Sequence, residues 1–137
     1  MKKNSIALLI FPMVMLYSCV TNDPASFTTY RCEETRPGFT PRSYLVDLYR
    51  TKADTNMYRI SNFYNLSTEG LYDIEIKVSS DKKISFSPIP QQIGSSLYRI
   101  NSGSGTVDAK ANFKQLVLDY ILYDGSSEIL VHSVYNR

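Results

Sequence analysis

Hydrophobic and polar positions alternate along most of this chain with a period of two. Leu71 to Ser79 is the clearest stretch: Tyr72, Ile74, Ile76 and Val78 share one face, Asp73, Glu75 and Lys77 the other. A half-buried β-strand requires this pattern, because successive side chains leave a pleated strand on opposite sides. Met57 to Asn62 (Tyr58 and Ile60 together) and Lys83 to Pro88 (Ile84 and Phe86 together) follow the same rule, and Tyr44 to Tyr49 is rich in aromatic and aliphatic residues. Leu97 to Ile100 and Thr106 to Ala111 are shorter runs. Phe113 to Tyr123 aligns Leu116, Leu118, Tyr120 and Leu122, and Glu128 to Tyr135 aligns Ile129, Val131, Ser133 and Tyr135.

Turn chemistry separates these runs. Glu69-Gly70, Ser80-Asp81, Asn101-Ser102-Gly103 and Asp124-Gly125 supply the left-handed or side-chain-capped positions that hairpins need. Pro88 and Pro90 end their strand, since proline cannot donate to a ladder. No amphipathic helical run of useful length occurs. The pattern predicts an all-β domain over residues 43–137 with about eight strands. Short connections favour an antiparallel meander, which closes most naturally into a barrel and so removes its edges. A two-sheet β-sandwich is the alternative at this strand spacing.

The N-terminus breaks the alternation. Lys2 and Lys3 precede an apolar stretch from Ile6 to Leu16. At ~1.5 Å per residue it covers about half of a ~30 Å hydrocarbon core, so it reads as a signal-peptide core and not as a membrane span. Leu16-Tyr17-Ser18-Cys19 then resembles the lipobox of bacterial lipoproteins. The resemblance implies cleavage before Cys19 and a diacylglycerol on its thiol, with 1–18 as signal peptide. Residues 19–42, interrupted by Pro24, Pro37 and Pro41, read as a solvated tether, in which Phe27 to Cys32 could at most pair weakly with the sheet edge. Val20 stands where an Asp would retain a lipoprotein at the inner membrane, so the same analogy implies the outer membrane, facing periplasm or cell surface.

A second resemblance rests on Tyr58-Arg59-Ile60-Ser61-Asn62-Phe63, on Ile84-Ser85-Phe86 leading to Ile89-Pro90-Gln91-Gln92-Ile93, and on Gly103-Ser104-Gly105-Thr106-Val107. These segments are similar to a class of small lipid-anchored, lipocalin-like β-barrel proteins of Gram-negative bacteria, most of which have no assigned activity. The chain has no Trp, so the Gly-x-Trp signature of ligand-carrying lipocalins is absent.

Charge and cysteine content narrow the function. The formal charge of +2 falls to zero once Lys2 and Lys3 leave with the signal. Neither nucleic acid nor an anionic membrane surface is therefore expected as an electrostatic partner. With Cys19 lipidated, Cys32 is the one remaining thiol and no intrachain disulfide forms; sequestration is its simpler fate. His132 is the only imidazole, so neither a zinc site nor a hydrolytic triad has enough material, and no metal or cofactor is expected. Asp73 and Glu75 are neighbouring carboxylates on the polar face of the cleanest strand, beside Lys77, and read as solvated. Gly103-Ser104-Gly105-Thr106 lacks the Lys and helix of a phosphate loop and reads as a hairpin turn. Asn65-Leu66-Ser67 matches a glycosylation acceptor without force in a bacterial lipoprotein.

Tyrosine remains the best lead. Tyr58, Tyr72 and Tyr120 fall on inward faces, where they either line a small cavity or fill the core. Val117 and Ile121 make one strand apolar on both faces, which points to a covered outer patch. The expected function is a lipid-anchored, non-catalytic binding or interaction module of the cell envelope. Its partners would be the membrane, through Cys19, and an envelope protein. The alternative is a lipocalin-like carrier of a small apolar ligand.

Overall fold

The computed structural model describes residues 28–51, 56–66, 73–93, 97–108 and 113–137. Nine strands follow in chain order: β1 (Thr28–Thr35), β2 (Arg42–Arg50), β3 (Met57–Ile60), β4 (Ile74–Val78), β5 (Lys83–Phe86), β6 (Gln91–Gln92), β7 (Arg99–Val107), β8 (Gln115–Tyr123) and β9 (Glu128–Asn136). One 3-10 turn, Phe63–Asn65, follows β3. Every strand pairs antiparallel with its neighbours, in the order β5-β4-β3-β2-β1-β9-β8-β7-β6. A further β5–β7 pairing closes eight strands into a barrel. The single closed sheet decides for the meander barrel over the two-sheet sandwich. β6 pairs with β7 through Gln91↔Ile100 and Gln92↔Arg99. The Gln91 side-chain amide also exchanges two 2.8 Å hydrogen bonds with the backbone of Glu75 in β4, as a strand neighbour would.

Inward positions follow the alternation. Tyr44, Val46 and Leu48, then Tyr58 and Ile60, Ile74, Ile76 and Val78, Ile84 and Phe86, and Leu116 through Leu122 at every second residue are buried in one core. The Asp124-Gly125 turn forms as its sequence predicts: Gly125 sits at φ +99°, and Asp124 Oδ1 accepts from the backbone N–H groups of Ser126 and Ser127 at 2.8 Å each. The β4–β5 turn places Lys82 at φ +64°.

Two expectations are corrected. Thr28–Thr35 is not tether. It is β1, a full barrel strand between β2 and β9. Its inward residues are Tyr30, Cys32 and Glu34, and an inward carboxylate hides the period of two from a reading that counts apolar residues. The Asn101–Gly103 segment and the glycines after it are not a turn either. β7 runs straight through them, with a bulge between Ile100 and Ser102. The two short strands expected at 97–100 and 106–111 are therefore largely one. Gly103 and Gly105 are present for close approach and not for a left-handed φ. A Cβ on Gly103 would lie 2.7 Å from Phe86 and from Tyr120, and one on Gly105 would lie 2.1 Å from the Val117 carbonyl oxygen. The strand count holds because β1 replaces the strand lost by this merger. The Glu69-Gly70 turn, residues 109–111, and the leader and tether residues 1–27 lie outside the described residues.

The antiparallel order gives the barrel two distinct ends. The near end is where the chain enters at Thr28; it also holds the β2–β3, β4–β5 and β7–β8 connections and Arg137. The far end holds the β1–β2, β3–β4, β5–β7 and β8–β9 connections. All barrel strands lie within residues 28–137.

Candidate functional site

Glu34 ends the inward row of β1 at 1% exposure. A buried carboxylate is costly unless it is paired and hydrogen-bonded, and the far end supplies the partners. Arg42, the first residue of β2, donates from Nε to Oε1 at 2.8 Å and from Nη2 to Oε2 at 3.3 Å. The Tyr44 hydroxyl donates to Oε2 at 2.7 Å and that of Tyr120 at 3.4 Å. Arg36 Nε lies 3.4 Å from Oε1 without pointing its hydrogen at it, so its contribution is charge alone. Both arginines are held in turn by Tyr64 of the 3-10 turn: Arg42 Nη2 donates to its carbonyl at 2.9 Å and Arg36 Nη1 to its hydroxyl at 2.8 Å. The Arg42 guanidinium lies 4.0 Å from the Tyr64 ring centroid, and that of Arg36 lies 4.5 Å from that of Phe39. The far end thus carries an Arg–Glu–Arg cluster roofed with aromatic rings.

Burial pushes the hydroxyls of Tyr44, Tyr120 and Tyr135 well above the usual tyrosine range, so all three stay protonated, and those of Tyr44 and Tyr120 donate to Glu34. Cys32 is fully buried beside Tyr135 and Ser133. Burial raises its pKa, against the smaller opposing effect of the Tyr44 hydroxyl. Its thiol is therefore protonated and sequestered. The Ser133 and Tyr135 hydroxyls are buried without a well-directed hydrogen bond.

Side chains fill the described lumen. Tyr120 packs against Phe63 and Phe86, with ring centroids 5.0 and 6.0 Å away. Tyr58 packs against Phe113 at 5.3 Å, and its hydroxyl accepts from Arg50 Nη2 at 2.8 Å. The two tyrosines belong to different neighbourhoods, Tyr120 with the Glu34 cluster and Tyr58 with near-end residues. Tyr72 lies outside the described residues. The gap between Tyr30, Val46, Leu48, Ile60, Leu116 and Tyr135 has no space wide enough for a water molecule.

The outer face of β7, β8 and β9 is more open. Cross-strand register sets its rows: Ser102–Ile121–Leu130, then Ser104–Asp119–His132, then Thr106–Val117–Val134. Val117 and Ile121 are both half-buried, and each has an apolar neighbour on β9, but the Asp119–His132 row divides them. Because β7 offers only Ser and Thr here, a shallow depression of about 350 Å³ opens beside Asp119, Ile121 and Leu130. Leu130 is 59% exposed, and Ile89 and Leu97, at 73% and 79%, project from the β5–β7 connection at the far end.

Among the described residues, the carboxylates on the outer walls sit in pairwise contacts. His132 Nδ1 lies 2.7 Å from Asp119 Oδ1, and both side chains are about half exposed. The Thr35 hydroxyl, opposite His132, donates to its backbone carbonyl at 3.4 Å and not to the ring. Asp73 accepts from the Tyr49 hydroxyl and Glu75 pairs with Arg59 at 3.6 Å, so each is engaged on the outer wall. No group of three or more His, Cys, Asp or Glu among the described residues is placed to hold a metal ion. No described helix is long and apolar enough to cross a membrane.

The Glu34–Arg36–Arg42–Tyr64 cluster was not visible in a pattern of apolar residues. Its one sequence signal is the Tyr30-x-Cys32-x-Glu34 spacing, which reads as a strand only if Glu is accepted as an inward residue. Comparison with family models, with curated proteins and with solved structures gave no match, so the small eight-stranded barrel and its geometry are what characterise this chain.

Proposed function

We propose that this protein is a lipid-anchored, non-catalytic interaction module of the cell envelope. The observation that carries the reading is a contrast between inside and outside. The described interior is packed with side chains and holds the Glu34 cluster toward the far end, whereas the outer face of β7–β9 offers an open depression beside exposed Leu130. A carrier needs a lumen; a docking module needs a reachable surface with apolar contacts and a few fixed polar groups. The lipobox-like Leu16-Tyr17-Ser18-Cys19 supports the anchor, and Val20 supports the outer membrane by analogy.

A photo-crosslinking residue at Leu130 in the native host tests the reading. It is expected to trap an envelope protein that the same residue at Lys77, on the opposite wall, does not trap. Equal trapping at both positions, or none at Leu130, would contradict it. Cys19→Ala is expected to abolish acylation and leave uncleaved precursor or soluble product. His132→Gln is expected to leave every cellular readout unchanged at wild-type abundance, and a phenotype there would reopen the question of catalysis.

A further inference from the structure

Net charge conceals how the charges are arranged along the barrel axis. Among the described residues, the near end carries Arg31, Arg50, Lys77, Lys82, Lys83, Lys114 and Arg137 against Asp47, Asp81 and Asp108, a net of +4. The far end carries Arg36, Arg42, Arg59 and Arg99 against Glu34, Asp73, Glu75, Asp124 and Glu128, a net of −1. Every described lysine is at the near end.

These cations form one surface. Lys82 lies over the Phe113 ring at 5.5 Å, and its carbonyl accepts from Val107 N–H at 2.9 Å, which ties the β4–β5 turn to the end of β7. Phe113 touches Tyr58, whose hydroxyl is held by Arg50. The Lys114 carbonyl accepts from Arg137 N–H at 2.9 Å. Arg50, Lys77, Lys83, Lys114 and Arg137 are all exposed.

We propose that this near end is a seat for the anionic headgroups of a lipid bilayer. The inference deepens the proposed function and rests on its anchoring reading. β1 starts at the near end, nine residues after Cys19, at most about 30 Å of extended chain. An acylated Cys19 therefore keeps the lysine-bearing end closer to the membrane than the far end. Clustered lysines beside an anchor add to acyl-chain binding on anionic membranes, within a Debye length of about 8 Å at physiological salt. The bilayer then holds the basic end, and Ile89 and Leu97 lie at the opposite end.

Vesicle sedimentation of the acyl-free chain, residues 19–137 with Cys19→Ser, separates this inference from anchoring. All barrel strands are retained. Binding to phosphatidylglycerol-rich vesicles at low salt, loss at high salt, and little binding to phosphatidylcholine vesicles are expected. Neutralising Lys82, Lys83 and Lys114 to Gln is expected to lower partitioning about a hundredfold, at about fivefold per charge, with an unchanged unfolding midpoint. A dye at Ser80→Cys, in the near-end turn, should be quenched by headgroup-labelled lipid more than one at Ser126→Cys in the far-end turn. Equal binding to both vesicle types, equal quenching at both sites, or tighter retention by a DNA oligonucleotide would overturn the proposal. An unacylated Cys19 in wild-type protein, read by mass spectrometry, would overturn the anchoring reading instead.

Discussion

At the far end of the barrel the cations are arginines turned toward a buried carboxylate and aromatic rings. At the near end they are mostly lysines turned toward solvent. The difference follows from the chemistry of the two side chains. A guanidinium is planar, weakly hydrated and forked, so Arg42 can grip both Glu34 oxygens, reach the Tyr64 carbonyl and lie on its ring at once. An ammonium is compact and strongly hydrated, and suits a surface that meets water or headgroups. Buried charge sits toward one end of the barrel, and exposed charge gives the other an electrostatic face. A net charge of zero for the chain after residue 18 describes neither arrangement.

Removing Glu34 should break the comparison most severely. Glu34→Ala leaves Arg42 and Arg36 without their counter-charge in a part-buried site, at an expected cost of about 3–5 kcal/mol, read as a lower denaturant midpoint. Combining Glu34→Ala with Arg42→Met should recover part of that loss, because an apolar replacement of both partners leaves no orphan charge. Loss no greater than that of a surface substitution would mean that the cluster does not hold the end together.

Gly105→Ala should come next. Its Cβ would press on the backbone of β8, and strained packing of this kind costs about 1–3 kcal/mol. This variant tests the wall between the two ends. It should lower the midpoint while leaving vesicle binding at the near end intact.

Lys83→Glu sharpens the other side of the comparison. It reverses the charge of an exposed side chain and loses a 3.0 Å pair with Asp81, so its stability effect should stay within about 0.5 kcal/mol while vesicle partitioning falls. A large drop in midpoint would show that the near-end cations are structural after all.

The smallest effect concerns pH at the far-end hairpin. Backbone and hydroxyl donors of Ser127 and Ser126 hold Asp124 down at about 2, below its ordinary 3.8. A depressed carboxylate contributes stability above its unfolded pKa and loses it as pH falls through its folded one. Amide exchange at Ser126 and Ser127 should therefore quicken between about pH 4 and pH 2. Asp124→Ala should remove that step, and an unchanged profile in this variant would assign it elsewhere.

How much of this could be read from the sequence depended on which residues faced inward. β4 and β8 present Ile, Leu, Val and Tyr at every second position, and their extent and faces were legible because the alternation is apolar against polar. β1 was not, since its buried row ends in Glu34, and a carboxylate becomes an acceptable core residue only once Arg42, Tyr44 and Tyr120 arrive from β2 and β8. β7 was read as a turn because Gly103 and Gly105 serve turns and close strand contacts equally well, and only Phe86 and the β8 backbone distinguish the two uses. Val117 and Ile121 were legible as apolar positions on the second face of β8, but the register that divides them with Asp119 and His132, and the depression beside Leu130, depend on β9. The axial charge arrangement was hidden because lysines far apart in sequence meet only through the meander.

Native mass spectrometry of wild-type protein extracted from its host in detergent tests the central claim most directly. That claim is that the domain is held at the membrane by Cys19 and works from its outer surface, around a filled interior. The predicted result is a mature chain beginning at Cys19, carrying its acyl chains and no additional small molecule. A chain that retains one apolar molecule, released by substituting Tyr58 or Tyr120, would contradict the account and make the barrel a carrier.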